Sequence, residues 1–264
     1  MLKYFRVTKP LMSLQPSNKE ETIIGTRDLS PLVSIIIPTY NEAENISELL
    51  ERIDAVINSH YQYEVIIVDD NSPDGTAKIA QKFSEKFPVR VVIRQRRMGL
   101  ASAVVEGFKH ALGKYVVAMD ADLQHPPEVI PSLVSKLEKG YQVAIASRYV
   151  KGGGVNNFPY IRRIISRGAT ILSWILLPRT RGIKDTMSGF FAIRREFILS
   201  ETRLRGYKLL LEILVRYCPT RVVEVPYIFQ GRKRGKSKMS LKEIFNYIRD
   251  LYWLRRTYGN CNKY

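Results

Sequence analysis

The sequence contains little cysteine and little histidine. Its 264 residues include two cysteines, Cys218 and Cys261, and three histidines, His60, His110 and His125. The cysteines lie far apart and show no C-x-x-C spacing, which excludes a disulfide framework and a zinc module with clustered ligands. This cysteine usage is typical of a protein in a reducing compartment.

A long apolar run is also absent. The longest uncharged apolar stretch, residues 168–178, is much shorter than the roughly 20 residues that a membrane-spanning helix requires. The first 30 residues carry neither the long apolar core nor the small-residue cleavage site of a signal peptide. We therefore expect a chain that does not span a bilayer, with residues 1–30 forming a flexible extension.

Acidic residues are scarce relative to basic ones. The chain has 42 lysines and arginines against 25 acids, a formal net charge of +17. Such an excess predicts anionic partners: nucleic acid, an acidic membrane surface or phosphorylated substrates. Nucleic-acid binders usually carry a recognition helix, an aromatic ribonucleoprotein-type sheet or a zinc module. None of these patterns is present, so we expect no nucleic-acid partner.

Three apolar runs with the character of strands end in polar loops. The loops are Pro38-Thr-Tyr-Asn-Glu42, Asp69-Asp-Asn-Ser-Pro-Asp-Gly75 and Asp120-Ala-Asp-Leu-Gln-His-Pro126. In an open α/β sheet the carboxyl ends of the strands face the ligand crevice. With 45% hydrophobic residues, the chain is predicted to form one α/β domain around a sizeable core.

An amphipathic helix is predicted after the first of these loops. Asn41 has the character of an N-cap, with Glu44 three residues later. The apolar residues that follow recur at helical spacing and are expected to form the buried stripe: Ile46, Leu49, Leu50, Ile53 and Ile57.

The third loop has the composition of a metal site. Asp120 and Asp122 are two residues apart, and on an extended chain such side chains point the same way. They can then share one hard divalent cation, with the amide oxygen of Gln124 as a further ligand and a nucleotide diphosphate completing the shell. The alternative for the same spacing is a turn with solvated acids.

The second loop offers groups for a nucleoside. A carboxylate is suited to ribose hydroxyls and an apolar strand end to the ring of the base. Asp70 and Val68 occupy the corresponding positions.

Two segments have the makeup of interfacial helices. Residues 160–177 combine a basic first half with an apolar second half that contains Trp174, and residues 240–258 place apolar side chains at helical spacing among Lys242, Arg249, Arg255 and Arg256. The alternative is that each helix packs on the core. Two such helices on a strongly basic chain favour an anionic membrane surface as partner.

An ordered series of motifs resembles that of the dolichyl-phosphate mannose synthases, which are inverting family-2 glycosyltransferases of the GT-A fold. Besides the three loops above, the motifs are Ser147-Arg-Tyr149, Arg162-Arg-Ile-Ile-Ser-Arg-Gly168, Asp185-Thr-Met-Ser-Gly-Phe-Phe191 and Arg232…Gly235-Lys-Ser-Lys238. The resemblance covers residues from about 33 to about 240. One departure is Thr186, where the family usually has proline.

The resemblance implies GDP-mannose as donor, dolichyl or another polyprenyl phosphate as acceptor, Mn²⁺ or Mg²⁺ as cofactor, and a peripheral position at the cytoplasmic face of a membrane. A separate membrane protein as anchor stays open. The implied organisation is a GT-A catalytic domain over residues 31–230, then a cationic loop and a C-terminal amphipathic helix over 231–264. The family also uses two amphipathic helices at this place to meet its lipid.

Residue by residue, the resemblance implies four sets of functional residues. Asp122 and Arg148 are the expected catalytic residues, and the metal ligands are Asp120, Asp122 and Gln124. The lipid phosphate is expected at Arg148, Arg162 and Ser166. The nucleotide-sugar contacts are expected at Pro38, Tyr40, Glu42, Val68, Asp70, Asp120, Ala121, Asp122, Arg148, Arg232 and Lys238.

A phosphate acceptor simplifies the expected chemistry. A sugar hydroxyl requires a general base, whereas a phosphate monoester is already anionic near neutral pH.

Asp185 is expected either to contact the sugar hydroxyls or to cap the loop before Ser188.

Several alternatives remain at this point. They are the same reaction with UDP-glucose as donor, a transferase acting on sugar hydroxyls, and a non-catalytic basic adaptor for membranes. A processive polysaccharide synthase is disfavoured because the sequence lacks Q-x-x-R-W. A nicotinamide enzyme is disfavoured because no G-x-G-x-x-G follows the first strand.

Overall fold

The computed structural model describes residues 31–156, 160–203, 208–231 and 241–259, and it describes only the backbone of residues 160–163 and 241–244. The predictions for residues 1–30, Arg232, Lys238 and the side chain of Arg162 therefore lie outside the described residues.

The described residues contain a seven-stranded sheet and a separate pair of short strands. The strands of the large sheet are β1 (Val33–Thr39), β2 (Tyr63–Asp69), β3 (Val89–Ile93), β4 (Tyr115–Ala118), β5 (Val143–Ser147), β7 (Phe191–Arg194) and β8 (Val222–Pro226). The short pair is β6 (Gly154–Val155) and β9 (Ile228–Phe229). The helices are α1 (Ile46–Ile57), α2 (Thr76–Phe83), α3 (Leu100–His110), α4 (Ile130–Glu138), α5 (Tyr160–Leu176), α6 (Leu209–Arg216) and α7 (Leu241–Tyr258).

The order of strands in the large sheet is β3-β2-β1-β4-β7-β5-β8. All neighbours pair in parallel except β7, which lies antiparallel between β4 and β5. The order reverses between β1 and β4, and the crevice at such a reversal is the usual ligand site of an open α/β sheet. The predicted α/β architecture with a mostly parallel sheet is confirmed.

The sheet is covered by helices on both faces, and its central strands β1 and β4 are largely apolar. Every residue of β1 is buried, as expected of a parallel strand between two layers of helices. Ile35 and Ile37 face a core cluster that includes α1 and α4, whereas Ile36 faces the cluster that includes α3 and α6. Burying each of these side chains contributes about 1.5–3 kcal/mol.

Helix α1 confirms the predicted stripe but not the predicted start. All five predicted stripe residues are buried. The helix begins at Ile46 after Asn45, and Asn41 is instead left-handed, with φ of 59°. The N-cap prediction for Asn41 is wrong because its loop is held by the neighbouring one: the Asn41 amide donates to Ser72 Oγ and the Glu42 amide to Thr76 Oγ1.

In the parts of the chain that the structure describes, no helix combines the length and the apolar content that crossing a bilayer requires.

Candidate active site

One edge of the sheet gathers most of the predicted site residues. Strands β1, β2, β4 and β5 run in the same direction, so the loops after them meet at their carboxyl ends. These loops carry Tyr40 and Glu42, Asp70, Asp120 and Asp122, and Arg148. The antiparallel β7 begins at the same edge, which brings residues 185–190 there as well.

The two acids of the third loop lie in a bend. Strand β4 ends at Ala118, two residues before Asp120, and Leu123 has φ of 61°. The expectation of an extended chain through Asp120 and Asp122 is therefore wrong. The bend is closed by hydrogen bonds: Nδ1 of His125 accepts the Asp120 amide at 3.0 Å, and Oδ1 of Asp122 accepts the Gln124 amide at 3.2 Å.

The donor set of this bend fits a hard divalent cation. Its side chains offer two carboxylates and an amide, all oxygen donors of the kind that Mg²⁺ and Mn²⁺ prefer. Gln124 Nε2 donates to the Gln230 carbonyl at 3.0 Å, which turns the amide oxygen away from that carbonyl. Among the described residues no group of three or more His, Cys, Asp or Glu side chains converges.

Arg148 is held by a buried carboxylate. Its Nε and one terminal nitrogen donate to the two oxygens of Asp185, each at 2.7 Å, and its backbone amide donates to the same carboxylate at 2.9 Å. Burial acts to lower the pKa of Arg148, but its bonds to Asp185 raise that pKa above its ordinary value. The second terminal nitrogen provides two further N–H groups for a ligand.

The carboxylate of Asp185 binds Arg148 rather than the loop before Ser188, and its contact with the sugar hydroxyls stays a prediction. The loop around it is held by Glu224 of β8, whose carboxylate accepts the backbone amides of Lys184 and Asp185, each at 2.9 Å. Sequence reasoning missed Glu224. The only signal for it is an acid within an otherwise apolar strand.

The nucleoside positions differ in accessibility. Asp70 is buried and accepts a hydrogen bond from Nε of Arg94 at 2.6 Å. Val68 is fully buried in the core cluster beneath α3. Tyr40 remains exposed, with the guanidinium of Arg97 4.5 Å above its ring. Sequence reasoning missed both arginines.

The first two loops are joined by their own polar groups. Asp69 accepts hydrogen bonds from Thr39 Oγ1 and Ser72 Oγ, each at 2.7 Å. Asp74 accepts the Ala43 amide at 3.0 Å and Thr76 Oγ1 at 2.6 Å. Burial acts to raise the pKa of Asp74, yet these hydrogen bonds together hold it below its ordinary value. Asp69 and Asp74 thus hold the first two loops together.

Four aromatic rings form a cluster, here called the aromatic box, behind the loop of residues 120–126 and Arg148. They are His125, Phe190, Tyr227 and Phe229. Burial lowers the pKa of His125 to about 4, so the imidazole is neutral at physiological pH. The guanidinium of Arg148 lies 5.5 Å from the ring centre of Phe229.

Helix α5 passes close to Arg148. Tyr149 lies between two cations, with the guanidinium carbon of Arg148 at 5.3 Å from its ring centre and that of Arg167 at 5.9 Å. Ser166, half-buried, precedes Arg167 on the helix. The predicted lipid-phosphate residues Arg148 and Ser166 therefore belong to adjoining segments.

Helices α5 and α7 pack side by side and leave an apolar surface exposed. The Tyr247 hydroxyl of α7 donates to the Ala169 carbonyl of α5 at 2.7 Å. Opposite the core, six side chains are between 47% and 69% exposed: Ile164, Ile171 and Ile175 of α5, and Phe245, Ile248 and Tyr252 of α7. We call these six residues the apolar face. Each helix packs on the core and also exposes apolar side chains, and their membrane association stays a prediction.

Thr186, the departure from the family motif, has a buried partner. Its hydroxyl lies 3.0 Å from that of Ser173 on α5, and both residues are fully buried. This hydrogen bond links the loop of Asp185 to α5.

Comparison with known proteins agrees with the architecture and the motifs. A model of glycosyl transferase family 2 matches residues 34–201. The chain is 50% identical over 232 residues to a dolichol-phosphate mannosyltransferase of Pyrococcus furiosus, a match covering 88% of this chain and 66% of that protein. A dolichol-phosphate mannosyltransferase of Saccharomyces cerevisiae is 36% identical over 231 residues, 83% of this chain and 85% of that protein.

Among solved structures, the chain is similar to glucosyl-3-phosphoglycerate synthase of Mycobacterium tuberculosis in complex with Mn²⁺, uridine diphosphate and phosphoglyceric acid. The TM-score is 0.66 at 21% identity, with 88% of this chain and 80% of that chain covered. This likeness confirms the GT-A-like fold. The family model and the two mannosyltransferases show that the chain belongs to glycosyl transferase family 2.

Proposed function

We propose that this protein transfers mannose from GDP-mannose to dolichyl phosphate or another polyprenyl phosphate, as a metal-dependent peripheral enzyme at the cytoplasmic face of a membrane. The observation that carries the proposal is a juxtaposition. The carboxylates of Asp120 and Asp122 share one edge of the sheet with Arg148, and Arg148 adjoins a helix that contributes to the apolar face. The names of the two mannosyltransferases support mannose and dolichyl phosphate as substrates.

The donor is assigned to the loops after β1, β2 and β4. Tyr40, Glu42 and Asp70 are assigned to the nucleoside side, and Asp120, Asp122 and Gln124 to a divalent cation on the diphosphate. When bound there, Mn²⁺ or Mg²⁺ supplies Lewis-acid stabilisation of the negative charge on the leaving nucleoside diphosphate. Arg232 and Lys238, outside the described residues, are assigned to the same diphosphate.

The acceptor phosphate is assigned to Arg148, Arg162 and Ser166. Arg148 is suited to this role because Asp185 fixes its guanidinium, and a planar fork recognises phosphate oxygens in defined directions. A phosphate oxygen attacks the anomeric carbon while the bond from that carbon to the nucleoside diphosphate breaks. The electron pair departs with the diphosphate, no proton is transferred, and attack from the opposite side inverts the anomeric centre.

Membrane binding is assigned to the apolar face and its neighbouring cations. An exposed apolar patch flanked by arginines fits the boundary between acyl chains and anionic head groups. Arg167 on α5 and Arg249, Arg255 and Arg256 on α7 supply the positive charge. A polyprenyl phosphate would keep its chain in the lipid while its phosphate reaches Arg148.

The proposal is tested by identifying the product. Purified protein is incubated with Mn²⁺, GDP-mannose and a short-chain polyprenyl phosphate, with UDP-glucose in a parallel reaction. We expect a mannosyl polyprenyl phosphate by mass spectrometry, with an inverted anomeric centre by NMR. If only UDP-glucose gave a lipid-linked product, the donor would be UDP-glucose instead of GDP-mannose. The absence of a lipid-linked product with both sugars would refute the proposed reaction.

Membrane association is tested by flotation with anionic and neutral liposomes at low salt. We expect the protein to float with the anionic vesicles. Protein that stays at the bottom of the gradient with both would contradict the assignment of the apolar face, even if transfer to a short-chain acceptor occurs.

A further inference from the structure

His125 occupies an unusual position at the end of β4. The last backbone bond that joins this strand to β1 is donated by the Met119 amide to the Ile36 carbonyl at 3.2 Å. The next amide along the chain is that of Asp120, and it donates to Nδ1 of His125 at 3.0 Å. His125 therefore accepts the first amide after the last sheet hydrogen bond, at the residue where the loop of residues 120–126 begins.

The same nitrogen lies near the carboxylate of Asp120, with Nδ1 3.7 Å from Oδ2. This contact is not an ion pair, because a nitrogen that accepts an amide N–H carries no proton. The proton of the neutral ring is then on Nε2. A single acceptor atom thus fixes the backbone of Asp120 and lies beside its carboxylate.

The ring of His125 has little freedom to move. It stacks on Phe190 at 5.2 Å and meets the edges of Tyr227 and Phe229 at 6.1 and 5.8 Å. Only 3% of the residue is exposed. Pro126 follows, and the residue before a proline is restricted to extended backbone conformations. The acceptor is therefore held from both its side chain and its main chain.

We propose that His125 is a positioning residue for the cation site, whose Nδ1 orients Asp120 by accepting its backbone amide. The inference rests on the proposed function, since it needs the cation to be bound at Asp120 and Asp122. It adds a role outside the ligand set, because the ring faces the main chain of the loop. Partners of this kind fix the direction of a ligand, and their loss typically costs about 10- to 100-fold in metal affinity.

Two substitutions separate this role from packing. His125→Asn retains an acceptor, because Oδ1 of asparagine takes the place of Nδ1, but it removes the stacked ring. His125→Phe retains the ring and its stacking on Phe190 but removes the acceptor. A positioning role predicts that asparagine preserves cation binding, whereas a packing role predicts that phenylalanine does.

The readout is Mn²⁺ affinity, measured by electron paramagnetic resonance of free Mn²⁺ in the presence of GDP, without turnover. We expect His125→Phe to weaken Mn²⁺ binding by about 10-fold or more and His125→Asn to stay within a few-fold of the unmodified protein. Equal affinities in both variants, or the reverse order, would overturn the inference. If the unmodified protein itself bound no Mn²⁺, the cation assignment of the proposed function would fail instead.

A second measurement needs no substitution, so poor folding of a variant does not leave the inference untested. Nitrogen-15 NMR of the unmodified protein distinguishes the two neutral histidine tautomers. We expect His125 to carry its proton on Nε2, because Nδ1 accepts the Asp120 amide. A proton on Nδ1 would contradict acceptance of the Asp120 amide and end the argument.

Discussion

The carboxyl edge of the sheet buries charged side chains in pairs, whereas the apolar face of α5 and α7 leaves large apolar side chains exposed. At the edge, the buried charges of Asp70 and Arg148 have partners of opposite charge, Arg94 and Asp185. On the apolar face, large side chains are exposed. Under the proposed function, the edge is organised in advance for a small polar ligand, whereas the face keeps apolar area that a membrane would cover.

This difference predicts how each region responds to mutation. Removing one member of a buried pair leaves an uncompensated charge and costs about 3–5 kcal/mol. Removing an exposed apolar side chain changes stability little and affects only the partner that would bury it. Substitutions at the edge should lower stability and activity together. Substitutions on the apolar face should weaken membrane binding without lowering stability.

The largest effect is expected for Asp122→Ala. Loss of one of two carboxylates removes the cation, which contributes several kcal/mol of charge stabilisation in the transition state, so turnover should fall by about 1,000-fold or more. The measurement is GDP release over a Mn²⁺ titration. Glu128→Ala, which removes an exposed partner of Arg52, is the control. Near-normal, Mn²⁺-dependent activity of Asp122→Ala would contradict the assignment.

Asp185→Ala tests whether Arg148 is organised in advance. The substitution leaves the guanidinium buried without its bidentate partner, so the free energy of unfolding should fall by about 3–5 kcal/mol, and transfer should fall with it. Urea unfolding measures the first and product formation the second. Glu196→Ala, which removes an exposed acid, is the control.

A double variant sharpens this test. Arg148→Met with Asp185→Leu replaces the pair by apolar groups, and such replacements are often neutral for stability. We expect stability to return while transfer remains lost. Recovery of transfer as well would show that Arg148 has no role in the reaction.

Phe245→Ala with Tyr252→Ala tests the apolar face. Removal of these two aromatic side chains should weaken liposome binding by about 10- to 100-fold, because each contributes about 1.5–3 kcal/mol when it is fully buried. The unfolding midpoint should change little. Ile93→Ala with Leu112→Ala removes two exposed apolar side chains elsewhere and should leave flotation unchanged. Equal loss of flotation in both pairs would deny the face a specific role.

The smallest effect is expected at Asp250, on the buried side of α7. Burial raises the pKa of this carboxyl above its ordinary value of 3.8, with Arg249 acting in the opposite direction. The folded state then binds the proton more tightly than the unfolded state, so stability falls as pH rises from 3.8 through the raised pKa.

Asp250→Asn removes that dependence. Urea unfolding measures the free energy of unfolding at pH 4 and pH 7. Relative to the unmodified protein, the variant should be more stable at pH 7 than at pH 4. A variant that loses stability at pH 7 relative to the unmodified protein would show that the ionised carboxylate is stabilising.

The sequence predicted the features that depend on local periodicity. The stripe of α1, the helical character of α5 and α7, and the three strand-to-loop junctions all follow from the spacing of apolar residues. It did not predict partners that only the topology brings together. Arg94 is 24 residues from Asp70, and the two meet because β3 lies beside β2.

The errors have the same origin. Asn41 has the composition of an N-cap, but hydrogen bonds between loops fix its backbone differently. Asp120 and Asp122 lie beyond the end of β4, where the bend closed by His125 replaces the regular alternation of a strand. The partner of Asp185 was not predicted from the sequence, because the antiparallel insertion of β7 brings this residue to Arg148.

Release of nucleoside diphosphate tests the central claim most directly. GDP-mannose and UDP-glucose are supplied in parallel with Mn²⁺, each with and without a short-chain polyprenyl phosphate. We expect GDP to be released only when the lipid phosphate is present, and little UDP under any condition. Release that does not depend on the lipid phosphate would contradict transfer to a polyprenyl phosphate. The absence of release from both nucleotide sugars would contradict it as well.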